Sequence, residues 1–142
     1  NLNDALAWGV IPIWMHQRGF SLYDISLVAA VYPAFWGIGQ IFTGKLADKF
    51  CKKDVLTYGM FIQALSLFAF PFSNNLYVLL LLASILGVGT ALVYPTFLAG
   101  IAENTTVADR PQSLGIFRFW RDSGYVAGGL VAAMAAQWLG LS

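Results

Sequence analysis

The sequence predicts an all-α membrane protein in which five transmembrane helices form one bundle, and three observations carry that prediction. Residues are 58% hydrophobic and 11% charged, with mean hydropathy +0.68, whereas a soluble domain runs about 45 to 50% apolar and about 25% charged. Long apolar stretches are separated by short polar turns. None of the stretches alternates in the sustained way that a transmembrane barrel strand requires. A chain of 142 residues with so little polar surface cannot hide its apolar side chains in one small aqueous core. The bilayer is the solvent that fits.

A helix needs about 20 residues to cross a hydrocarbon core of about 30 Å. The first stretch, residues 2–15, opens with Asn1, Asn3 and Asp4 and has no basic flank before a cleavable apolar run, so it does not read as a signal peptide. It is short, and residue 1 is expected to fall partway into a helix of a longer chain. The second stretch, residues 22–47, is long and contains Pro33. The third, residues 54–70, stops at Pro71-Phe72-Ser73-Asn74-Asn75, a cluster of turn formers. The fourth, residues 76–102, contains Gly87, Gly89 and Pro95. The fifth, residues 112–139, follows Pro111, a suitable first-turn residue. Pro12, Pro33 and Pro95 each remove one backbone hydrogen bond and bend their helix. Loops of about five to nine residues hold no soluble domain and make neighbouring helices antiparallel. Residues 1–142 therefore read as one partial transmembrane domain.

Orientation follows from the lysines and arginines near the helix ends. Lys45, Lys49, Lys52, Lys53 and Arg110 fall on one side of the bundle and Arg18 on the other, which places the segment from Gly44 to Lys53 in the cytoplasm. The sequon Asn104-Thr105-Thr106 then lies on the cytoplasmic side, where glycans are not added.

Several function classes are excluded by composition. A net charge of +1, with the basic residues at helix ends rather than in a stripe among exposed aromatics, does not suit nucleic acid. Cys51 and His16 are each the sole residue of their kind, so there is no internal disulfide and no cysteine-based metal cluster, and with no close pair of buried acids beside them the chain offers little of what catalysis needs. Nothing in the sequence implies a cofactor, a metal or an enzyme. His16, at the end of the first stretch, reads as interfacial.

The fifth stretch carries the polar constellation. At about 100° per residue, Arg118, Arg121, Asp122, Tyr125, Gly128 and Gly129 fall within an arc of about 120°. Arg118 lies about seven residues beyond Pro111, so these charges sit about 10 to 16 Å into the membrane and need partners or water. Arg118 and Asp122 are four apart and can pair, which leaves Arg121 unmatched. Asp4, in the first helix, reaches a similar depth. Two readings stay open for Asp4, Arg118, Arg121, Asp122 and Tyr125. In one, the charges form a neutral buried network joining the first and fifth helices. In the other, an arginine faces a central cavity and binds an anionic substrate group, or Asp4 takes up a proton during transport. Gly124 with Gly128, and Ala83 with Gly87, are small-x-x-x-small pairs suited to close helix packing. Gln40 and Gln63 read as amides that bond between helices.

One segment carries a resemblance. Gly44-x-Leu46-Ala47-Asp48-Lys49-x-Cys51-Lys52-Lys53 resembles the loop signature of the major facilitator superfamily, G-x-L-A-D-R/K-x-G-R/K-R/K, found between the second and third helices of each six-helix half. Cys51 stands where that family usually has glycine. The stretch Asn1 to Gly9 looks like the opening helix of a half and Arg110 to Gly129 like its fifth. The Asn-Asn-Asp-rich start and the Arg-Asp pair of the last helix are similar to the C-terminal half.

That resemblance implies five helices of an expected twelve. Gly44, Leu46, Asp48, Lys49, Lys52 and Lys53 would form a loop that latches onto neighbouring helix ends. It implies a secondary transporter of small solutes working by alternating access, inactive without its remaining half. Its partners would be the lipid bilayer, that other half and a small-molecule substrate, moved with or without a proton. The location implied is a bacterial inner membrane. The alternatives are a non-transporting receptor or assembly factor on the same fold, or a membrane-embedded enzyme.

Overall fold

The computed structural model describes residues 2–138; the side chains of Leu2, Asn3, Leu6, residues 44–48, Ala135 and Ala136 lie outside the described set. Among the described residues the chain is α-helical throughout, without strands: α1 Leu2–Gln17, α2 Leu22–Lys49, α3 Lys52–Ala69, α4 Leu76–Asn104 and α5 Arg110–Trp138, with a 3₁₀ turn at Phe70–Phe72. Leu22–Thr43, Lys52–Phe72 and Leu76–Asn104 are long and apolar enough to cross a membrane. α1, at 16 residues, is shorter than the roughly 20 needed. α5 is long enough, but Arg118, Arg121, Asp122 and Ser123 interrupt its apolar run.

The largest difference from the sequence reading is at the basic segment. α2 continues through residues 44–49, and only Phe50 and Cys51 separate it from α3. Lysine, leucine and alanine are strong helix formers, and one glycine among them costs only about 1 kcal/mol. Most of the ten-residue motif is thus the last turns of α2 and the first residues of α3.

The turns are capped by their own side chains. Gly19 has φ of 81°, and with Gly19 N–H donating to His16 O at 3.0 Å and Phe20 N–H to Met15 O at 3.2 Å it closes α1 with a Schellman motif. Ser21 and Asp24 then form a reciprocal box at the start of α2: Asp24 N–H donates to Ser21 Oγ at 3.2 Å, and Ser21 N–H to Asp24 Oδ2 at 3.1 Å. Asn75 caps α4 by accepting from Tyr77 N–H at 2.9 Å. Arg18 lies over the Trp14 ring, 4.6 Å from its centre, and donates to Asn74, which ties the α1–α2 turn to the α3–α4 turn.

α4 is the central helix, packed against α2 on one side and α3 on the other, while α5 packs chiefly on α1. Two glycines make the central position possible. A Cβ on Gly87 would come within 2.5 Å of the Tyr32 carbonyl oxygen in α2, and a Cβ on Gly89 within 3.1 Å of the Gly59 carbonyl oxygen in α3. Close backbone approach of this kind is how helices associate where lipid offers no hydrophobic drive. Around it, Met15, Val28, Tyr32, Phe70, Leu79, Ala83 and Leu86 form the buried cluster. Thr90 and Thr96, both buried, turn their hydroxyls back to Leu86 O at 2.9 Å and Leu92 O at 2.6 Å, so neither is left unsatisfied in an apolar setting. The outward faces carry large apolar side chains such as Phe42, Phe61, Phe68, Leu81 and Leu130.

Candidate functional site: a polar cavity between five helices

Between the helices lies a cavity of about 1020 Å³ to which all five contribute. Its lining follows helical periodicity. Trp36 and Gln40 are four apart on α2, Met60, Gln63, Ala64 and Leu67 share a face of α3, and Thr90, Val93, Tyr94 and Phe97 share a face of α4. Phe117, Trp120, Arg121, Gly124 and Tyr125 supply the α5 wall, and Asp4 supplies the α1 wall.

Asp4 is buried, at 6% exposure, and is satisfied by neutral donors. Tyr32 on α2 donates its hydroxyl to Asp4 Oδ1, and Tyr125 on α5 donates to Asp4 Oδ2 at 3.1 Å. The Tyr32 hydroxyl also lies 3.3 Å from Thr90 Oγ1, so α1, α2 and α5 meet at one carboxylate and α4 joins them through Tyr32. A buried carboxylate without an adjacent cation needs such donors, because an unpaired charge in a low-dielectric setting is costly.

Arg121 is held separately. Its Nε donates to Asp122 Oδ1 at 2.8 Å, its NH1 donates to the Tyr94 hydroxyl at 3.3 Å, and its guanidinium lies 5.9 Å from the centre of the Tyr94 ring. Tyr94 in turn meets Trp36 edge-on at 6.4 Å and Phe117 at 6.3 Å, and Trp36 stacks on Tyr32 at 6.5 Å. The cavity therefore has a continuous aromatic wall with one acid and one base set into it.

Of the sequence candidates, Asp4, Arg121 and Tyr125 come together on this cavity. Asp122 is exposed and pairs with Arg121 rather than with Arg118, and Arg118 is exposed; neither lines the cavity. α1 and α5 are joined at Asp4 by Tyr125, not by an arginine. Tyr32, Trp36, Thr90 and Tyr94 are not among the sequence candidates for the site, and Gln40 and Gln63, which line the cavity, read from the sequence as amides that bond between helices. The spacing Tyr32, Trp36, Gln40 was a readable signal, since it is the i, i+4, i+8 face of one helix.

The basic segment is partly described. The surroundings of Gly44 and the side chains of Leu46 and Asp48 lie outside the described set. Lys49 and Lys53 are exposed, and Lys52 pairs with Glu103 at the end of α4, Nζ to Oε1 at 2.6 Å. Among the described residues no group of three histidines, cysteines or acids is placed to hold a metal ion.

Comparison with known proteins agrees with these features. The chain is 27% identical over 136 residues to the quinolone resistance protein NorA of Staphylococcus aureus, covering 96% of this chain and 35% of that protein. It is 24% identical over 136 residues to multidrug resistance protein 1 of Bacillus subtilis, again covering 96% of this chain and 35% of the relative. The chain thus spans about a third of the length of the curated relatives it matches. The family model of the Major Facilitator Superfamily matches residues 1–142. That family comprises membrane transporters rather than enzymes, and the apolar helices are those of an integral membrane protein. With every residue matched, this chain belongs to the major facilitator superfamily.

Proposed function

We propose that residues 1–142 form most of one six-helix half, the C-terminal one, of a secondary transporter that moves small organic solutes by alternating access. The observation that carries this reading is the cavity of about 1020 Å³ among five helices, apolar and aromatic over most of its wall, with Asp4, Arg121 and Tyr125 at one side. In transporters of this kind the substrate site lies near the midplane between two halves, so this segment supplies one wall and is inactive alone. All five helices span the membrane in the assembled protein. The other half covers the polar face of α5, including the exposed Arg118. The lysines of the basic segment face the cytoplasm of a bacterial cell, and the segment acts as the conformational latch. The relatives are named for quinolone and multidrug resistance, which favours export of drug-like molecules.

Asp4 is the proton carrier in this reading. Both of its oxygens are held by hydroxyls rather than by a cation, so protonation removes a charge that no fixed positive partner balances. The test uses the full-length protein in inverted membrane vesicles, with a fluorescent quinolone and a fluorescent cationic dye as probes. One or both should accumulate when a pH gradient is imposed and leak out when it is collapsed. Asp4→Asn should abolish gradient-driven accumulation while retaining exchange of probe across the membrane. Vesicles that accumulate neither probe beyond protein-free controls would sink the transporter reading, and wild-type coupling in Asp4→Asn would sink the proton role.

A further inference from the structure

We infer that Trp36 is a specificity-determining residue of this cavity: its indole N–H hydrogen-bonds an acceptor oxygen on the transported molecule, so that a ketone is chosen over a hydrocarbon of the same shape. The inference rests on the transporter reading and deepens it by naming the residue that reads the cargo and the group that is read.

The observation behind it is a donor without an acceptor. Trp36 lines the cavity from α2, and its indole Nε1 is buried with no hydrogen-bond partner among the described residues. An indole nitrogen can only donate, and a buried donor left unpaired carries a cost that native structures nearly always avoid. Neighbouring polar groups on the wall are engaged. Asp4 accepts from Tyr32 and Tyr125, Arg121 donates to Asp122 and to the Tyr94 hydroxyl, and Thr90 donates to Leu86 O.

The indole is also held in place. Its ring stacks on Tyr32 at 6.5 Å with 17° between the planes, and it meets Tyr94 edge-on at 6.4 Å. The backbone beneath it is fixed too, because a Cβ on Gly87 would stand 3.0 Å from Trp36 N and one on Gly39 would stand 2.6 Å from Ala91 Cβ. α2 therefore lies directly against α4 at Trp36 and again near the next turn. A donor fixed in this way loses little freedom when an acceptor arrives. A resident water would need about two to four polar partners, whereas the indole is flanked by the rings of Tyr32 and Tyr94. The missing acceptor is thus supplied by what enters the cavity. A site built to hydrogen-bond its ligand rejects the isostere that lacks the group, since the donor is then left unpaired.

The test uses two rigid, uncharged probes of nearly one shape, 2-adamantanone and 2-methyleneadamantane, which differ in C=O against C=CH2. Binding of each, radiolabelled, to the purified full-length protein is read by equilibrium dialysis against protein-free micelles. The ketone should bind about tenfold more tightly than the alkene after correction for micelle partition, and in Trp36→Phe that preference should vanish. Comparing both probes in both proteins cancels their different partition into detergent. The carbonyl infrared band of the bound ketone should lie at lower wavenumber in the native protein than in Trp36→Phe. If Trp36→Phe is not retained in the membrane, the corrected ratio in the native protein and the band relative to protein-free micelles decide. Equal binding of the two probes, binding of neither, or a preference that survives in Trp36→Phe overturns the inference. The transporter reading is judged separately, by accumulation of the fluorescent quinolone or the cationic dye in vesicles. Accumulation with no ketone preference overturns the role of Trp36 alone, and a Trp36-dependent preference without accumulation of either probe overturns the transporter reading and with it the claim that the ligand is cargo.

Discussion

Tyr125 on α5 donates its hydroxyl to Asp4 on α1 across 3.1 Å, joining residues 121 positions apart in the chain. Tyr32 holds the other carboxylate oxygen from α2. This three-residue junction is where the packing of the bundle and the chemistry of its cavity coincide.

The two tyrosines should therefore differ in what their removal costs. Tyr32 is 5% exposed and also contacts Thr90, whereas Tyr125 is 42% exposed. Tyr32→Phe is expected to destabilise the full-length protein in detergent by about 1 to 3 kcal/mol. Tyr125→Phe should cost less, because water or another donor can replace its hydroxyl. Thermal unfolding of both single variants and of the double variant checks this. A larger loss from Tyr125→Phe than from Tyr32→Phe would contradict the arrangement.

Gly87 should tolerate no side chain. The nearest atom to an added Cβ is the Tyr32 carbonyl oxygen, with Phe35 Cβ and Trp36 N at 3.0 Å, so Gly87→Ala must push α2 away from α4. The expected cost is about 1 to 3 kcal/mol, as for other overpacked positions. Gly100 is the control: nothing lies within 4 Å of its added Cβ, so Gly100→Ala should be neutral or stabilising by up to about 1 kcal/mol. Denaturation of the two variants side by side distinguishes close packing from a general effect of losing a helix glycine.

The Lys52–Glu103 pair should matter more to switching than to stability. Its side chains are 23% and 61% exposed, and a partly exposed pair contributes about 1 kcal/mol or less and weakens as salt screens it. Lys52→Glu and Glu103→Lys should each change transport rate, and the doubly reversed variant should restore it, with melting temperature nearly constant throughout. No restoration in the double variant would show that the two residues act separately.

Cys51 offers a reading of orientation. It is exposed between α2 and α3, and the topology proposed from the surrounding lysines has it on the cytoplasmic side. In a full-length protein whose other cysteines are replaced, a membrane-impermeant maleimide should label Cys51 in inverted vesicles and not in intact cells. Labelling in intact cells would reverse the topology.

The α5 pattern shows how far the sequence reaches into the site. The arc of Arg118, Arg121, Asp122 and Tyr125 identified a polar face, because positions on one helix are fixed relative to each other by its 3.6-residue period. Which member of that face enters the cavity depends on the rotation of α5 against α1. Arg121 and Tyr125 line the cavity, whereas Arg118 and Asp122 do not. The Tyr32, Trp36, Gln40 face of α2 was equally regular, yet in an apolar helix of a membrane protein an aromatic row has no local mark separating cavity from core.

The sequence by itself determined the all-α membrane class, the order of the helices, the motif at residues 44–53 and the concentration of charge on α5, since hydropathy, helix propensity and turn chemistry act over a few neighbouring residues. Only the tertiary structure decided that α4 is central, that Lys52 meets Glu103, and that Asp4 is satisfied by Tyr32 and Tyr125 instead of an arginine. These pairings join residues from 28 to 121 positions apart. They are set by which helix faces can approach most closely, at Gly87 and at Gly89 with Gly59, and no local pattern encodes that geometry.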